Sequence, residues 1–343
     1  MRSFIDQGAV AVVAQVRWPG GEWSKAYGVR DLDSKQPAQP DDLVSVASVT
    51  KSMTAVSVLK LVDDGLIGLD DPVNGVLESF TTVLKPPGQI TVRQLLSHTS
   101  GMPDYQQVTF RTLDDVVPAV NQKISLQRGL EITGTLPWDA KDIGTFRYSN
   151  SNYLALGQLL ENFRGKPYPD IIRDDIFSAL GLSRTTVSEL QGEASDMIHG
   201  YISLRGQRLG GTQAQEQIGS PSHGVISTMS DVNDFFAALF GGRLISASSL
   251  EEMKKTGLVP YGLGIWEWSE DCTGAHRFGG RGGFWDYRTI AMSSADGRYQ
   301  AAMTLVPGPI PSPLEDPESD KKHELWSGQV ASALLETLDR LCQ

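Results

Sequence analysis

Ser48-Val49-Thr50-Lys51-Ser52-Met53-Thr54-Ala55-Val56-Ser57-Val58-Leu59-Lys60-Leu61-Val62-Asp63-Asp64-Gly65 reads as one buried helix that opens on a chemical pair. Met53, Val56, Val58, Leu59, Leu61 and Val62 give the apolar content, and Gly65 is the stop. Residues three apart share a helix face, so the Lys51 amine can reach the Ser48 hydroxyl. The helix start brings positive dipole and free backbone N–H groups, which favour a developing oxyanion. An amine kept neutral by burial can take the hydroxyl proton. On its own the spacing more often marks a serine cap followed by a surface lysine. It recurs at Ser57–Lys60, inside the helix, and at Ser319–Lys322, in a charged loop, and neither of these has the helix-start position.

Outward from this helix, strand patterns lie at both chain ends. Val10–Val16 and Glu22–Gly28 flank a turn at Pro19-Gly20-Gly21; Leu263–Trp268, Tyr287–Ser293 and Tyr299–Val306 follow late in the chain. Between them Thr91–Ser97, Asn152–Phe163 and Tyr168–Leu180 read as helices, the last two running into Gly165 and Gly181. Ser230–Phe240 is an amphipathic helix, Pro307–Pro317 a loop, and Leu325–Cys342 a closing helix. The pattern predicts an α/β fold: an antiparallel sheet flanked by helices and built from both chain ends, with a mostly helical subdomain inserted. Residues 1–343 are then one catalytic domain, with 1–47 and 220–343 forming the α/β part and 48–219 the helical part. A cleft at the junction is the natural place for a site.

Composition narrows the function. The chain has 343 residues, 40% hydrophobic, with a formal net charge of -11. That acidity argues against a nucleic-acid partner. No apolar run reaches the roughly 20 residues of a membrane span. The first residues lack the apolar core of a signal peptide, so the chain is either cytoplasmic or has lost a leader before this numbering begins. Two cysteines, Cys272 and Cys342, are too few for a disulfide-rich scaffold. They have neither CxxC spacing nor a histidine cluster, so no metal or other cofactor is expected.

Three further pieces can carry chemistry. Tyr148-Ser149-Asn150 sits on a loop before a helix: the phenol can relay a proton and the amide can bond the lysine. Phe278-Gly279-Gly280-Arg281-Gly282-Gly283-Phe284 is a strand whose glycines let a ligand or another backbone come close. The five histidines offer less. No Gly-x-Ser-x-Gly or His-Glu-x-x-His is present, Ser97-His98 reads as a structural turn, and His276 stays as a possible neighbour of the site.

In order along the chain, these pieces resemble the penicillin-binding serine hydrolases, which include class C β-lactamases, actinobacterial D-alanyl-D-alanine carboxypeptidases, D-aminopeptidases and related esterases. The resemblance rests on Ser48-Val49-Thr50-Lys51-Ser52, then Leu61-Val62-Asp63-Asp64-Gly65-Leu66 with Leu69-Asp70-Asp71-Pro72, then Thr91 to Gly101 with its Leu95-Leu96-Ser97-His98-Thr99-Ser100-Gly101. It continues through Tyr148-Ser149-Asn150-Ser151-Asn152-Tyr153, Gly224-Val225-Ile226-Ser227-Thr228 and Tyr261-Gly262-Leu263-Gly264. It implies a β-lactamase/transpeptidase-like fold, with Ser48 as nucleophile, Lys51 and Tyr148 as the acid–base pair, and Asn150 orienting Lys51. The backbone N–H groups of Ser48 and Gly283 would form the oxyanion hole, and substrate would pair along Gly280, Arg281, Gly282 and Gly283. It also implies a bond between Cys272 and Cys342, and with it a secreted or cell-envelope protein.

The chain departs from the family pattern twice. The usual His- or Lys-x-Gly reads Gly280-Arg281-Gly282, and the arginine expected after Tyr-Gly-Leu-Gly is replaced by Ile265-Trp266-Glu267-Trp268. Arg281 then becomes the expected anchor for a substrate carboxylate, unless it faces solvent or pairs with Asp286. The leading expectation is a D-alanyl-D-alanine carboxypeptidase-like or other D-amino-acid peptide hydrolase acting on a small-molecule or peptide substrate. The alternatives are a small-ester esterase with an aromatic wall of Trp266, Trp268 and Trp285, a peptide cyclase or thioesterase, and a binding protein that has lost catalysis. The oligomeric state is not readable.

Overall fold

The run Val10–Val16 forms most of strand β1 (Ala11–Trp18), and the chain returns as β2 (Gly21–Gly28) in the computed structural model, which describes residues 1–188, 196–212, 214–270 and 274–341. Four late strands complete the sheet: β3 (Trp266–Glu270), β4 (His276–Gly283), β5 (Arg288–Ser293) and β6 (Gln300–Val306). The six strands lie in the order β2-β1-β6-β5-β4-β3, each antiparallel to its neighbours. The two chain ends are joined by β1 against β6, from Ala11 opposite Val306 to Arg17 opposite Gln300.

Successive β1 side chains feed two separate cores. Ala11 and Val13 enter the larger one, while Val12, Ala14 and Val16 enter the smaller one. A strand covered on both faces reads as a largely apolar run, as this one does from Ala11 to Val16 with buried Gln15 as the exception. Helix α1 (Thr50–Asp63) crosses the larger core and is buried without a break from Thr50 to Leu59. Two of its polar members are spent on backbone carbonyls: Ser52 Oγ donates to Gly264 and Thr54 Oγ1 to Pro221, both at 2.7 Å. Helix α2 (Asn150–Arg164) packs beside it, and α3 (Met229–Phe240) covers one face of the sheet. Helix α4 (Glu318–Leu341) covers the other face with Trp326, Val330, Leu334 and Leu338.

Several expectations change. The closing helix begins at Glu318 rather than Leu325, because its first turn is charged and carries no apolar period. Asp316 accepts the Glu318 N–H at 3.0 Å, and Glu318 and Asp320 suit the positive end of the helix. Ser319 and Lys322 therefore lie on α4, not in a loop, and the Lys322 amine sits 4.7 Å from the Trp326 ring centre. The segment read as helical also contains a hairpin, Tyr201–Leu204 with Gln207–Gly210. Leu263–Ile265 is a bend rather than strand, held by the Ser52 bond. Cys272 and Cys342 lie outside the described residues. No helix among the described residues is long and apolar enough to cross a membrane.

One detail of register positions the site. Strand β3 pairs with β4 only as far as Trp266 opposite Gly279. Residues Gly280–Gly283 pair with β5 on one side, and among the described residues no strand pairs with their other edge. That edge can receive an extended substrate by strand addition.

Candidate active site

Ser48 lies on a short 3-10 turn, Ala47–Val49, that runs directly into α1. Ala47 adopts the left-handed region (φ 46°), which costs a residue with a Cβ about 1–2 kcal/mol. The turn leaves Ser48 at the helix start, partly exposed, while Lys51 one turn later is 1% exposed.

Lys51 Nζ meets Asn150 Oδ1 at 2.7 Å, the Ser222 carbonyl at 2.9 Å and Ser48 Oγ at 3.2 Å. Asn150, the first residue of α2, is locked. Its Nδ2 donates to Asp104 Oδ2 (3.0 Å) and Gln106 Oε1 (2.8 Å), and its backbone N–H donates to Asp104 Oδ2 (3.0 Å). With both amide hydrogens committed, only the oxygen can face the lysine. Burial pulls the Lys51 amine down to about 7, against the opposing pull of the Asp104 and Glu216 charges. A neutral amine has two hydrogens and one lone pair. Asn150 and Ser222 accept the hydrogens, and the lone pair is left for the Ser48 hydroxyl.

Tyr148 completes the set. Its ring centre is 4.7 Å from Lys51 Nζ, and it lines the same cleft as Ser48. Burial raises the phenol above the usual tyrosine range, partly offset by the neighbouring Ser48 hydroxyl. The residue is still 38% exposed toward the cleft, so this push is weaker than for the fully enclosed Tyr153. Either way the phenol is protonated at neutral pH, and Lys51 is the group able to accept the first proton. Beneath Tyr148 lies His98, with ring centres 4.2 Å apart. His98 Nδ1 accepts the Ser149 N–H at 3.2 Å and faces Asn152 Nδ2 at 3.1 Å. Burial holds the imidazole neutral. It is a platform for the tyrosine; Ser97 Oγ turns away to the Arg93 carbonyl.

The sequence reading missed the shell that supports the lysine. Glu216 is buried, bonded to Tyr105 Oη and to His223 Nε2 (3.1 Å), and Gln106 Nε2 reaches it at 3.3 Å. Burial pushes the Glu216 carboxyl up, but His223 and these hydrogen bonds hold it below its ordinary value. Asp104 follows the Thr91–Gly101 segment closely and could have been suspected as a carboxylate on a turn. Glu216 and His223 lie in a loop with no periodicity, and nothing local marks them.

Strand β4 forms the opposite wall. A Cβ at Gly282 would stand 2.1 Å from the Val46 carbonyl oxygen and 2.9 Å from Ser48 N, so only glycine lets the strand lie against the backbone of Val46–Ser48. A Cβ at Gly280 would meet Val49 Cγ1 at 2.9 Å and Phe236 Cζ at 3.2 Å. The space a larger residue would need there is already filled. Gly280→Ala is expected to lose about 1–3 kcal/mol of stability through overpacking, and Gly282→Ala more, since its neighbour is rigid backbone. Urea denaturation measures both; an unchanged midpoint for Gly282→Ala would contradict the packing argument.

A cleft of about 450 Å³ opens beside Ser48, Tyr148, Gly282 and Gly283, and a cavity of about 190 Å³ lies on the inner side of Ser48, reaching Asn150 and His223. Trp266 and Arg281 line the cleft. Arg281 Nη2 is bonded to Glu324 at 2.6 Å, not to Asp286. The aromatic wall differs from the expected one. Trp268 packs into the smaller core with α4, and the wall is made by Trp266, Phe146, Phe284 and Trp285, with Phe110 packed edge-on against the last two (5.3 and 5.5 Å between ring centres). His276 lies at the far end of β4, beside Glu267 at 3.0 Å, and is no neighbour of the site. Among the described residues no group of three or more His, Cys, Asp or Glu side chains could hold a metal.

Comparison with known proteins places these features in a group. The family model described as Beta-lactamase matches residues 1–301. Penicillin-binding protein 4* of Bacillus subtilis (strain 168) is 32% identical over 188 residues, which is 53% of this chain and 40% of that protein. The match therefore spans less than half the length of that curated relative. Among solved structures, a D-stereospecific amidohydrolase from Streptomyces sp. superposes with a TM-score of 0.77 at 26% identity, covering 94% of this chain and 95% of the other. The D-amino acid amidase of Ochrobactrum anthropi SV3, complexed with L-phenylalanine amide, gives 0.76 at 24% identity over 96% of each chain, a likeness of fold.

Proposed function

The chain belongs to the Beta-lactamase family of serine hydrolases, and within that family we propose that it cleaves the amide bond of a D-amino-acid amide or short D-peptide through an acyl-enzyme on Ser48. The observation that carries this reading is the Lys51 hydrogen-bond set. Two acceptors take the amine's hydrogens, and its lone pair faces Ser48 Oγ at 3.2 Å. The D-amide substrate is supported by the likeness to the Streptomyces amidohydrolase and by the unpaired β4 edge.

In this mechanism Lys51 takes the Ser48 proton as Oγ attacks the carbonyl carbon. The oxyanion is held by the backbone N–H groups of Ser48 and Gly283. The C–N bond breaks as Tyr148 passes a proton to the leaving nitrogen and is itself reprotonated from Lys51. Water then attacks the ester carbonyl, giving a proton back through the same pair, and Ser48 leaves as the hydroxyl. A short ester would follow the same course with an alcohol leaving, and the aromatic wall favours that as a second reading.

The test is a turnover panel: matched D- and L-amino-acid amides, a D-Ala-D-Ala peptide, a short-chain aryl ester and a chromogenic cephalosporin. A D-amide preference of about tenfold or more over the L-amide is expected, since a misplaced substituent beside the reacting bond costs at least about 1.4 kcal/mol. Turnover of the ester alone would replace the amidase reading with the esterase one.

A further inference from the structure

A buried cation that forms no ion pair among the described residues lines the cleft outside the Ser48–Lys51–Tyr148 set. Arg288 opens β5 directly opposite Gly283 and is 8% exposed. Its guanidinium lies where Gly283 has no side chain: a Cβ there would stand 3.0 Å from Nη1 and 3.5 Å from Cζ. Nη1 donates to the Tyr287 carbonyl at 2.8 Å, and among the described residues this is the only hydrogen bond its side chain makes. Among them, too, no carboxylate comes within 4.0 Å of it.

Other arginines of this fold are treated differently. Arg277, 2% exposed, is paired with Asp339 at 2.6 Å, and Arg281 with Glu324 at 2.6 Å. Asp286, near in sequence, is buried against Gly200 and Gly211 and leaves its Oδ1 without a partner rather than turning to Arg288. A buried charge is costly unless paired, and burial pulls Arg288 down to about 10. The same residue borders the cleft that holds Ser48, together with Asp320 and Glu324. The charges of Asp286, Glu324 and Asp320 offset part of its burial, but none of them forms an ion pair with it among the described residues, which leaves its guanidinium open to an anion that enters the cleft.

We propose that Arg288 is the anion site of this cleft and that the preferred substrate carries a carboxylate which pairs with it. This rests on the hydrolase reading above and refines its substrate class. The planar guanidinium presents parallel N–H groups that match two carboxylate oxygens, a geometry lysine cannot copy. Arg281, half-exposed and already paired, is the weaker anchor.

The experiment uses D-peptides ending in a free carboxylate and the same peptides capped as carboxamides. The native protein should prefer the free acid. Arg288→Met and Arg288→Lys should lower kcat/KM on the acid by about 10- to 100-fold, the range for a charged hydrogen bond, and on the capped peptide far less. Fluorophosphonate labelling at Ser48 in each variant shows that the site is still folded. Absence of acid preference in the native protein, equal losses on both peptides, or a larger acid-specific loss in Arg281→Ala would overturn the assignment. A binding arm separates this inference from the hydrolase reading. Ser48→Ala protein is titrated calorimetrically with the acid and the capped peptide, with and without Arg288→Met. If the native chain turns over nothing, the hydrolase reading fails. Acid-selective binding that is lost with Arg288→Met would still uphold the anion site, and equal binding of both peptides would overturn it.

Discussion

Ser48→Ala is expected to remove turnover by at least about four decades, the scale on which a nucleophile knockout acts, and to abolish covalent labelling. The reason is geometric. Ser48 Oγ lies 3.2 Å from the Lys51 amine and borders the same cleft as Tyr148, and the left-handed Ala47 together with the Gly282 contact holds it at the mouth of that cleft. Folding should survive, because the hydroxyl faces the cleft rather than the core. The check is peptide mass spectrometry after a fluorophosphonate or penicillin, with a thermal melt as control. An adduct on another residue, or a variant that keeps substantial turnover, would remove Ser48 from the mechanism.

Lys51→Arg should cost about two to four decades in kcat/KM, the range for loss of a general base. Arginine keeps the charge and much of the length but stays protonated at any working pH, so it cannot accept the serine proton. The native protein carries a second signature of the same role. The Lys51 amine sits at about 7, and only its neutral form has a lone pair. Below that value the amine is charged and kcat/KM falls with falling pH; above it the profile levels off, since the phenol of Tyr148 stays protonated. The free-enzyme ionisation is the one kcat/KM reports. The residual activity of Lys51→Arg should lack this limb. A rising limb that persists in the variant would assign it to another group.

What could be read in advance divides by physical range. Ser48, Lys51 and Tyr148 each sit in a local pattern, a helix start or a turn before a helix, and local patterns survive in sequence. The sheet was legible because β1 is covered on both faces and so is apolar from Ala11 to Val16 except at Gln15. The support around Lys51 was not legible, because Asp104, Gln106, Glu216, Ser222 and His223 come together only by tertiary folding from loops that have no period. Trp266 and Trp268 share a strand and looked equivalent, yet only the first borders the cleft, because β3 ends its pairing there while α4 closes over the second. Arg281 was visible as a new charge on the right strand; that Glu324 already holds it, and that Arg288 goes without an acid, depends on where α4 and β5 pack.

The pairing of β1 with β6 bears on how this protein comes to exist in a cell. Ala11 finds its partner only when Val306 has been made. At about 5–20 residues per second, the first hairpin waits roughly 15–60 s on the ribosome with a bare, apolar edge. Gly280–Gly283 are late as well, so a truncated chain carries the nucleophile and its base but no opposite wall. Contacts of such sequence separation form slowly, and an exposed strand edge invites pairing with another chain. During synthesis the molecule should therefore depend on chaperones that shield its first hairpin, and activity should appear abruptly, with the last third of the polypeptide, rather than build up as the chain grows.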